Sequence, residues 1–195
     1  MLQIDTLILG LYQTNCYIVY QEDSDCCIVI DPGYEADRIL DHCKSIGRSI
    51  CAVLLTHGHF DHVGAVRDLA ADTGCKVYIC AADLQLPAAF TAGKLYCTDT
   101  YDEGDNLTEA GVSFHDLRTP GHTPGSVCLL CGDVIFSGDT LFAGSCGRTD
   151  FPLGSFADIR QSLNRLAQLS GDYTVYPGHG SATRLSRERQ ANPYL

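Results

Sequence analysis

Seven consecutive residues, Thr56-His57-Gly58-His59-Phe60-Asp61-His62, follow directly on an apolar run at 51–55. Three imidazoles and a carboxylate within six positions cannot be folded into an ordinary core loop, because each brings polar atoms that cost free energy when buried without a partner. By composition alone such a string arises in on the order of one chain in a thousand. The pattern therefore asks for a fold in which a buried strand ends at a site where these groups converge on something. In the extended stretch after the strand, side chains two apart point the same way, so His57 and His59 can meet on one ion. Asp61 and His62 fall where a helix begins and turn toward a neighbouring position. One short segment can thus feed two metal sites, and its nitrogen and oxygen donors suit zinc first, with iron and manganese as alternatives.

Two sites need more ligands, and three further strand ends offer them. His122 lies in Thr119-Pro-Gly-His-Thr-Pro-Gly125, Asp139 in Ser137-Gly-Asp-Thr140, and His179 in Tyr176-Pro-Gly-His-Gly180. Each follows an apolar strand and is flanked by Gly or Pro, where binding residues are commonly mounted. His57, His59, Asp61, His62, His122, Asp139 and His179 form the expected metal cluster.

The remaining chain supplies a layered frame. Strands are expected at 2–10, 15–20 and 26–31, then a turn at Asp31-Pro32-Gly33 and a helix at 34–46 stopped by Gly47. A buried strand at 51–56 leads to a helix at 62–73 and a strand at 76–80. Residues 81–107 carry no clear periodicity. Strands at 112–117, 126–131 and 134–137 follow, the last two joined by a Gly132-Asp133 hairpin turn. An amphipathic helix at 155–169 takes Ser155 as its N-cap, and a strand at 173–176 precedes a short basic tail. Strands interleave with helices without linker or repeat, which predicts a single layered domain over 1–195 of the α/β or α+β class.

Charge and cysteine content narrow the function classes. Asp and Glu number 24 against 13 Lys and Arg, a formal net charge of −11, which disfavours a protein that grips a nucleic-acid backbone. The N-terminus has no basic segment ahead of its apolar run, and no apolar stretch reaches membrane-spanning length, so a cytoplasmic protein without a membrane partner is expected. Of the eleven cysteines, Cys128 and Cys131 have C-x-x-C spacing, but no second pair completes four ligands. Most thiols are read as small buried hydrophobes. His42 and His115 are expected at the surface, and Arg184, Arg187 and Arg189 on a solvated helix face. Arg148 and Asp150 are read as a salt-bridged loop ahead of a substrate contact. Tyr12, Tyr17, Tyr96 and Tyr101 are given no substrate role.

The order of the motifs, THGHFDH, PGHTPG, SGDT and PGHG, closely resembles the metallo-β-lactamase superfamily over nearly the whole chain. Gln13-Thr-Asn-Cys-Tyr17, the stretch from Leu141 to Phe151 and the closing stretch from Arg187 to Tyr194 narrow the likeness to the glyoxalase II (hydroxyacylglutathione hydrolase) branch, especially its short bacterial members. The resemblance implies an α+β fold, the four-layer αβ/βα sandwich, with metals at one edge. It places His57, His59 and His122 on a first metal, Asp61, His62 and His179 on a second, and Asp139 between them, with Asp61 also orienting the attacking hydroxide. The activity implied is hydrolysis of a small-molecule thioester such as S-lactoylglutathione. A thiolate leaves without a dedicated general acid, and none is evident. The helical domain that helps hold glutathione in larger members is not expected, since only residues 180–195 follow His179, and the grip is sought in 81–107. A persulfide dioxygenase, with one iron on His57, His122 and Asp139, shares the Gly147-Arg-Thr-Asp-Phe151 signature and is the principal alternative. A nuclease of the superfamily is disfavoured by charge, and a closed metal-storage site by the bridging arrangement. A true β-lactamase is disfavoured by the missing export signal and by Asp139, where many such enzymes carry Cys. The oligomeric state is left open.

Overall fold

The computed structural model describes residues 1–195. β1 (Leu2–Leu9), β2 (Thr14–Gln21) and β3 (Cys26–Ile30) form an antiparallel meander. Helix α1 (Ala36–Ser45) then crosses over to β4 (Ser49–Leu54), which pairs parallel to β3. The expected helix at 62–73 is broken in two, α2 (Phe60–Val63) and α3 (Val66–Thr73). The break lies where Gly64 passes so near the loop after β3 that a Cβ there would sit 2.2 Å from the Gly33 carbonyl oxygen. The Ala65 N–H donates to the Pro32 carbonyl at that point (3.0 Å). β5 (Lys76–Cys80) and β6 (Asp99–Tyr101) complete a first sheet of order β1-β2-β3-β4-β5-β6.

The second sheet runs β14-β13-β10-β9-β8-β7. It contains β7 (Asn106–Glu109), β8 (Val112–Arg118), β9 (Val127–Cys131), β10 (Val134–Gly138), β13 (Thr174–Pro177) and β14 (Thr183–Arg184). Cys131 pairs with Val134, so Gly132-Asp133 is the hairpin turn expected. A two-stranded ribbon, β11 (Leu141–Phe142) and β12 (Ser145–Cys146), escapes sequence periodicity because each strand holds only two residues. Helices α4 (Phe156–Ala167) and α5 (Leu185–Ala191) follow the ribbon and β14. Ser155 caps α4, its Oγ accepting from the Asp158 N–H at 3.2 Å.

Three apolar clusters define the layers. Ile39, Val66 and Leu69 of α1 and α3 pack on the outer face of the first sheet with Val29, Val53 and Val77. Ile28, Leu54, Phe114 and Phe136 fill the space between the sheets. Ile159, Leu163 and Leu166 of α4 cover the outer face of the second sheet over Ile135 and Val175. The architecture is the α+β, four-layer αβ/βα sandwich. Opposite-facing strand positions explain the cysteine pair. Cys128 joins the cluster under α4 while Cys131 faces the inter-sheet core, so residues three apart in one strand cannot share an ion. All eleven cysteines are free thiols.

Two surface expectations need correction. Arg189 is half-buried, and its guanidinium is engaged by backbone carbonyls. It donates to the carbonyls of Ala167 (2.9 Å) and Gly171 (2.8 Å) and to that of Leu169, capping the C-terminal end of α4. His42 is half-buried and lies 2.9 Å from Asp5 Oδ2. His115 is exposed, as its alternation in β8 implied. No helix is long and apolar enough to cross a membrane.

Candidate metal centre

All seven expected residues come together at one edge of the sandwich, mounted on the ends of β4, β8, β10 and β13. The Thr56 N–H and Oγ1 both donate to Asp31, at 2.8 and 2.6 Å, and His62 Nδ1 lies 3.0 Å from Asp31 Oδ2. His57 Nδ1 lies 3.1 Å from Thr56 Oγ1. These contacts occupy the Nδ1 side of His57 and His62 and leave each Nε2 facing inward. His122 is oriented in the same way by Nδ1, which donates to the Arg148 carbonyl at 2.8 Å. His179 Nδ1 donates to the Tyr12 carbonyl at 3.1 Å.

The inward atoms fall into two sets. His57, His59 and His122 each offer a donor atom within 4.8 Å of the others, and so do Asp61, His62 and His179. Asp139 reaches both: Oδ1 is 3.4 Å from His62 Nε2, and Oδ2 is 3.5 Å from His122 Nε2 and 3.6 Å from His179 Nε2. A third grouping, Asp31 with His57 and His62, is a hydrogen-bond network, because both Asp31 oxygens are already taken by donors.

This geometry fits divalent cations. Nε2 of His57 and Oδ1 of Asp139 are buried with no hydrogen-bond partner, and His59 Nδ1 and His122 Nε2 stand 2.8 Å apart facing each other, a costly state unless an ion satisfies such groups. Burial, with the neighbouring His62 and His122, pushes His57 well below its ordinary range. Burial and His122 also hold His59 down to about 4. Both are thus neutral, as a ligand must be. In the other set burial opposes protonation of His62, but Asp139 and Asp31 outweigh it and draw the imidazole up to about 9. The carboxylates there call for positive charge.

The backbone is fitted to the cluster. A Cβ on Gly178 would sit 2.2 Å from Asp139 Oδ1, and one on Gly147 would lie 1.8 Å from the Asp139 carbonyl oxygen. Across the sheets, Asn15 Nδ2 donates to the carbonyls of Pro177 (2.9 Å) and Gly180 (2.8 Å), and the Tyr17 hydroxyl donates to Pro177 (2.5 Å). The Gln13–Tyr17 segment thereby fixes the His179 loop against the first sheet.

A cavity of about 580 Å³ opens over the cluster, walled by Tyr12, Phe60, Phe142, Phe151 and Arg148, within the size range of small-molecule sites. Tyr12 was expected to have no place here. It lines the cavity and packs edge-on to Phe60, with ring centroids 5.2 Å apart. Residues 81–107, where a substrate grip was sought, contribute no lining residue and lie behind the wall, with Phe90 against Phe151 at 5.1 Å. Arg148 and Asp150 form the expected ion pair (2.7 Å) at the cavity mouth.

The Metallo-beta-lactamase superfamily profile matches residues 9–179. The chain belongs to the metallo-β-lactamase superfamily. Hydroxyacylglutathione hydrolase GloC of Haemophilus influenzae is 32% identical over 209 residues, covering 100% of this chain and 98% of the relative. Among solved structures, the BLEG-1 B3 metallo-beta-lactamase superposes with a TM-score of 0.91 at 32% identity, covering 99% of both chains. TTHA1623 in a di-iron-bound form gives 0.87 at 35% identity, covering 98% of this chain and 100% of that one. ETHE1 from Myxococcus xanthus gives 0.87 at 29% identity, covering 98% and 83%. The superfamily chain carries a His-rich site of the kind that binds divalent metals.

Sequence reasoning missed two buried carboxylates around this site, Asp31 and Asp83. Asp31 sits in an Asp-Pro-Gly that reads as a simple turn. Its φ of +52°, unusual for a non-glycine residue, marks a more constrained position. Asp83 lies in the stretch without periodicity.

Proposed function

We propose that this chain is a dinuclear metal-dependent hydrolase that cleaves a small-molecule thioester, with S-lactoylglutathione as the leading candidate. The observation that carries the reading is Asp139, which stands between the two donor sets, with Oδ1 near His62 of one and Oδ2 near both His122 of the other and His179. His57, His59 and His122 would hold one ion, Asp61, His62 and His179 the other, and Asp139 both. Zinc suits these donors, as does iron, which the similar TTHA1623 is described as binding. Two such ions lower the pKa of a bound water toward neutrality and polarise a carbonyl.

The chain's own groups supply the rest. Burial alone would raise the Asp61 pKa, but its contact with His179 (3.2 Å) and the nearby His62 keep it below the usual carboxylate range. An ionised Asp61 at the cavity floor can accept a hydrogen bond from an attacking water and orient it. Tyr12, Phe60, Phe142 and Phe151 exclude bulk water and offer flat apolar surface to an acyl-thiol. No lysine or neutral carboxylic acid lines the cavity as a proton donor to a leaving group, which suits a thiolate. The full-length likeness to the Haemophilus hydroxyacylglutathione hydrolase supports the same substrate class.

A second reading is a persulfide dioxygenase with a single iron on His57, His122 and Asp139. The placement of Arg148 and Phe151, from the Gly147–Phe151 signature, in the cavity wall favours it. Protein purified without added metal is to be analysed by elemental mass spectrometry and assayed with S-lactoylglutathione. About two metals per chain with thioester turnover, lost in Asp61→Ala, supports the hydrolase. About one iron with oxygen uptake on glutathione persulfide, or full thioesterase activity in Asp61→Ala, overturns it.

A further inference from the structure

We propose that Asp83 is a positioning residue that holds the His57–His59 loop and the His122 loop in one geometry, and so sets the metal affinity of that half of the centre alone. The proposal rests on the metal reading given above. Asp83 lies in the 3₁₀ turn Ala81–Gln85 directly after β5 and is fully buried. No cation contacts it. Its Oδ2 accepts from the Gly58 N–H at 2.7 Å and from Thr123 Oγ1 at 2.9 Å, and its Oδ1 accepts from the Gly125 N–H at 2.6 Å. Every donor comes from a loop that carries a proposed ligand. Gly58 lies between His57 and His59, and Thr123 is next to His122.

The local backbone is shaped for this carboxylate. A Cβ on Gly125 would lie 2.6 Å from Asp83 Oδ1, and one on Gly58 would meet Leu95 Cδ1 at 2.8 Å and Asp83 Cβ at 3.4 Å. Burying the carboxyl raises its pKa, while the three donors oppose that shift. Both oxygens are engaged, so Asp83 is not itself a ligand. It acts through the peptide between the two histidines and through the turn that aims His122. Asp31 grips Thr56 and His62 and, through Thr56 Oγ1, reaches His57 Nδ1, so it touches both donor sets, whereas every donor to Asp83 lies in the two loops of the first set. The action of Asp83 is therefore confined to that half.

The decisive variant is Asp83→Asn, which keeps the shape but turns an amide NH₂ toward groups that are all donors. Metal-free wild type and variant are titrated with zinc against a chromophoric chelator, with circular dichroism checking the fold. Wild type takes up two ions. The variant should keep one at wild-type affinity and bind the other about 10–100-fold more weakly, the usual effect of losing a group that orients metal ligands. In a His179→Ala background, where the opposite half is already weakened, Asp83→Asn should remove the remaining tight ion. Thr123→Val deletes one donor and should shift the same ion in the same direction by less. Two wild-type affinities in Asp83→Asn, or equal weakening of both, would overturn the proposal. If Asp83→Asn does not fold, Thr123→Val decides, and unchanged affinities there also overturn it. A wild type that takes up no zinc refutes the metal reading instead.

Discussion

Asp31 accepts from His62 Nδ1 at 3.0 Å with both side chains closed off from solvent. The contact selects the tautomer that presents Nε2 to Asp61, Asp139 and His179. Asp31 also receives the Thr56 N–H, so Asp31→Ala leaves a buried donor unpaired as well as freeing the ring. The expected outcome is a loss of about 1–3 kcal/mol in urea denaturation of the metal-free protein. One ion should also bind about 10–100-fold more weakly in chelator competition. Stability lost with both affinities intact would mean that Asp31 braces the loop without steering the ring.

Two glycines separate crowding from backbone strain. A methyl on Gly178 would fall 2.2 Å from Asp139 Oδ1 and 2.7 Å from His62 Cε1, whereas one on Gly171 meets nothing within 4 Å. Gly171 has φ +91°, so Gly171→Ala should cost about 1 kcal/mol through its backbone alone and leave metal content unchanged. Gly178→Ala should fold yet lose metal and turnover together. Elemental analysis of both purified variants makes the comparison.

The seven clustered residues were legible in the sequence because each stands at the exit of an apolar strand beside Gly or Pro, a local signal. Asp31 and Asp83 were not, because a supporting carboxylate is defined by donors that arrive from other strands. Asp83 meets Gly58 and Gly125, which are 25 and 42 residues away in sequence. The same limit hid Tyr12. Nothing in Leu11-Tyr12-Gln13 says that the hairpin tip reaches the His179 loop, yet the Tyr12 carbonyl receives His179 Nδ1. The layers were legible from strand and helix periods. The break between α2 and α3 was not, since it arises from the approach of Gly64 to Gly33.

Asp116 on β8 makes stability depend on pH. Its side chain faces the inter-sheet space, is fully buried, and neither carboxyl oxygen has a hydrogen-bond partner. Burial, with some help from Asp105, raises its pKa from 3.8 to about 7. Below about pH 4 the group is protonated folded or unfolded and makes no difference. Between about 4 and 7 the unfolded chain releases this proton and the folded chain keeps it, so stability falls as pH rises, and the full penalty is present above 7. Asp116→Asn removes the titration. Its unfolding free energy from urea titration should lie nearest wild type below about pH 4 and exceed it increasingly up to about pH 7, by a few kcal/mol at most. A constant difference between the two proteins across that range would exclude Asp116 as the source.

Arg148 joins the metal centre to the cavity mouth through two separable groups. Its carbonyl receives His122 Nδ1, a contact that survives any side-chain substitution. Its guanidinium is held by Asp150 through Nε and Nη2, both at 2.7 Å, and lies 3.9 Å from the Phe151 ring centroid. Nη1 makes no hydrogen bond within the protein and so can donate to a ligand. Because the guanidinium is already ordered, an anionic group on the thiol arm of a substrate could engage it without further loss of side-chain freedom. Arg148→Ala should therefore raise KM for an anionic thioester roughly twofold to fivefold, the scale of a solvent-exposed charged contact, with kcat and metal content unchanged. Asp150→Asn, which loosens the guanidinium but keeps its charge, should raise KM by less. A neutral thioester of similar size should show no change with either variant. Steady-state kinetics on the substrate pair decide the matter, since a loss shared by both thioesters would mean that Arg148 shapes the Phe151 wall instead of reading charge.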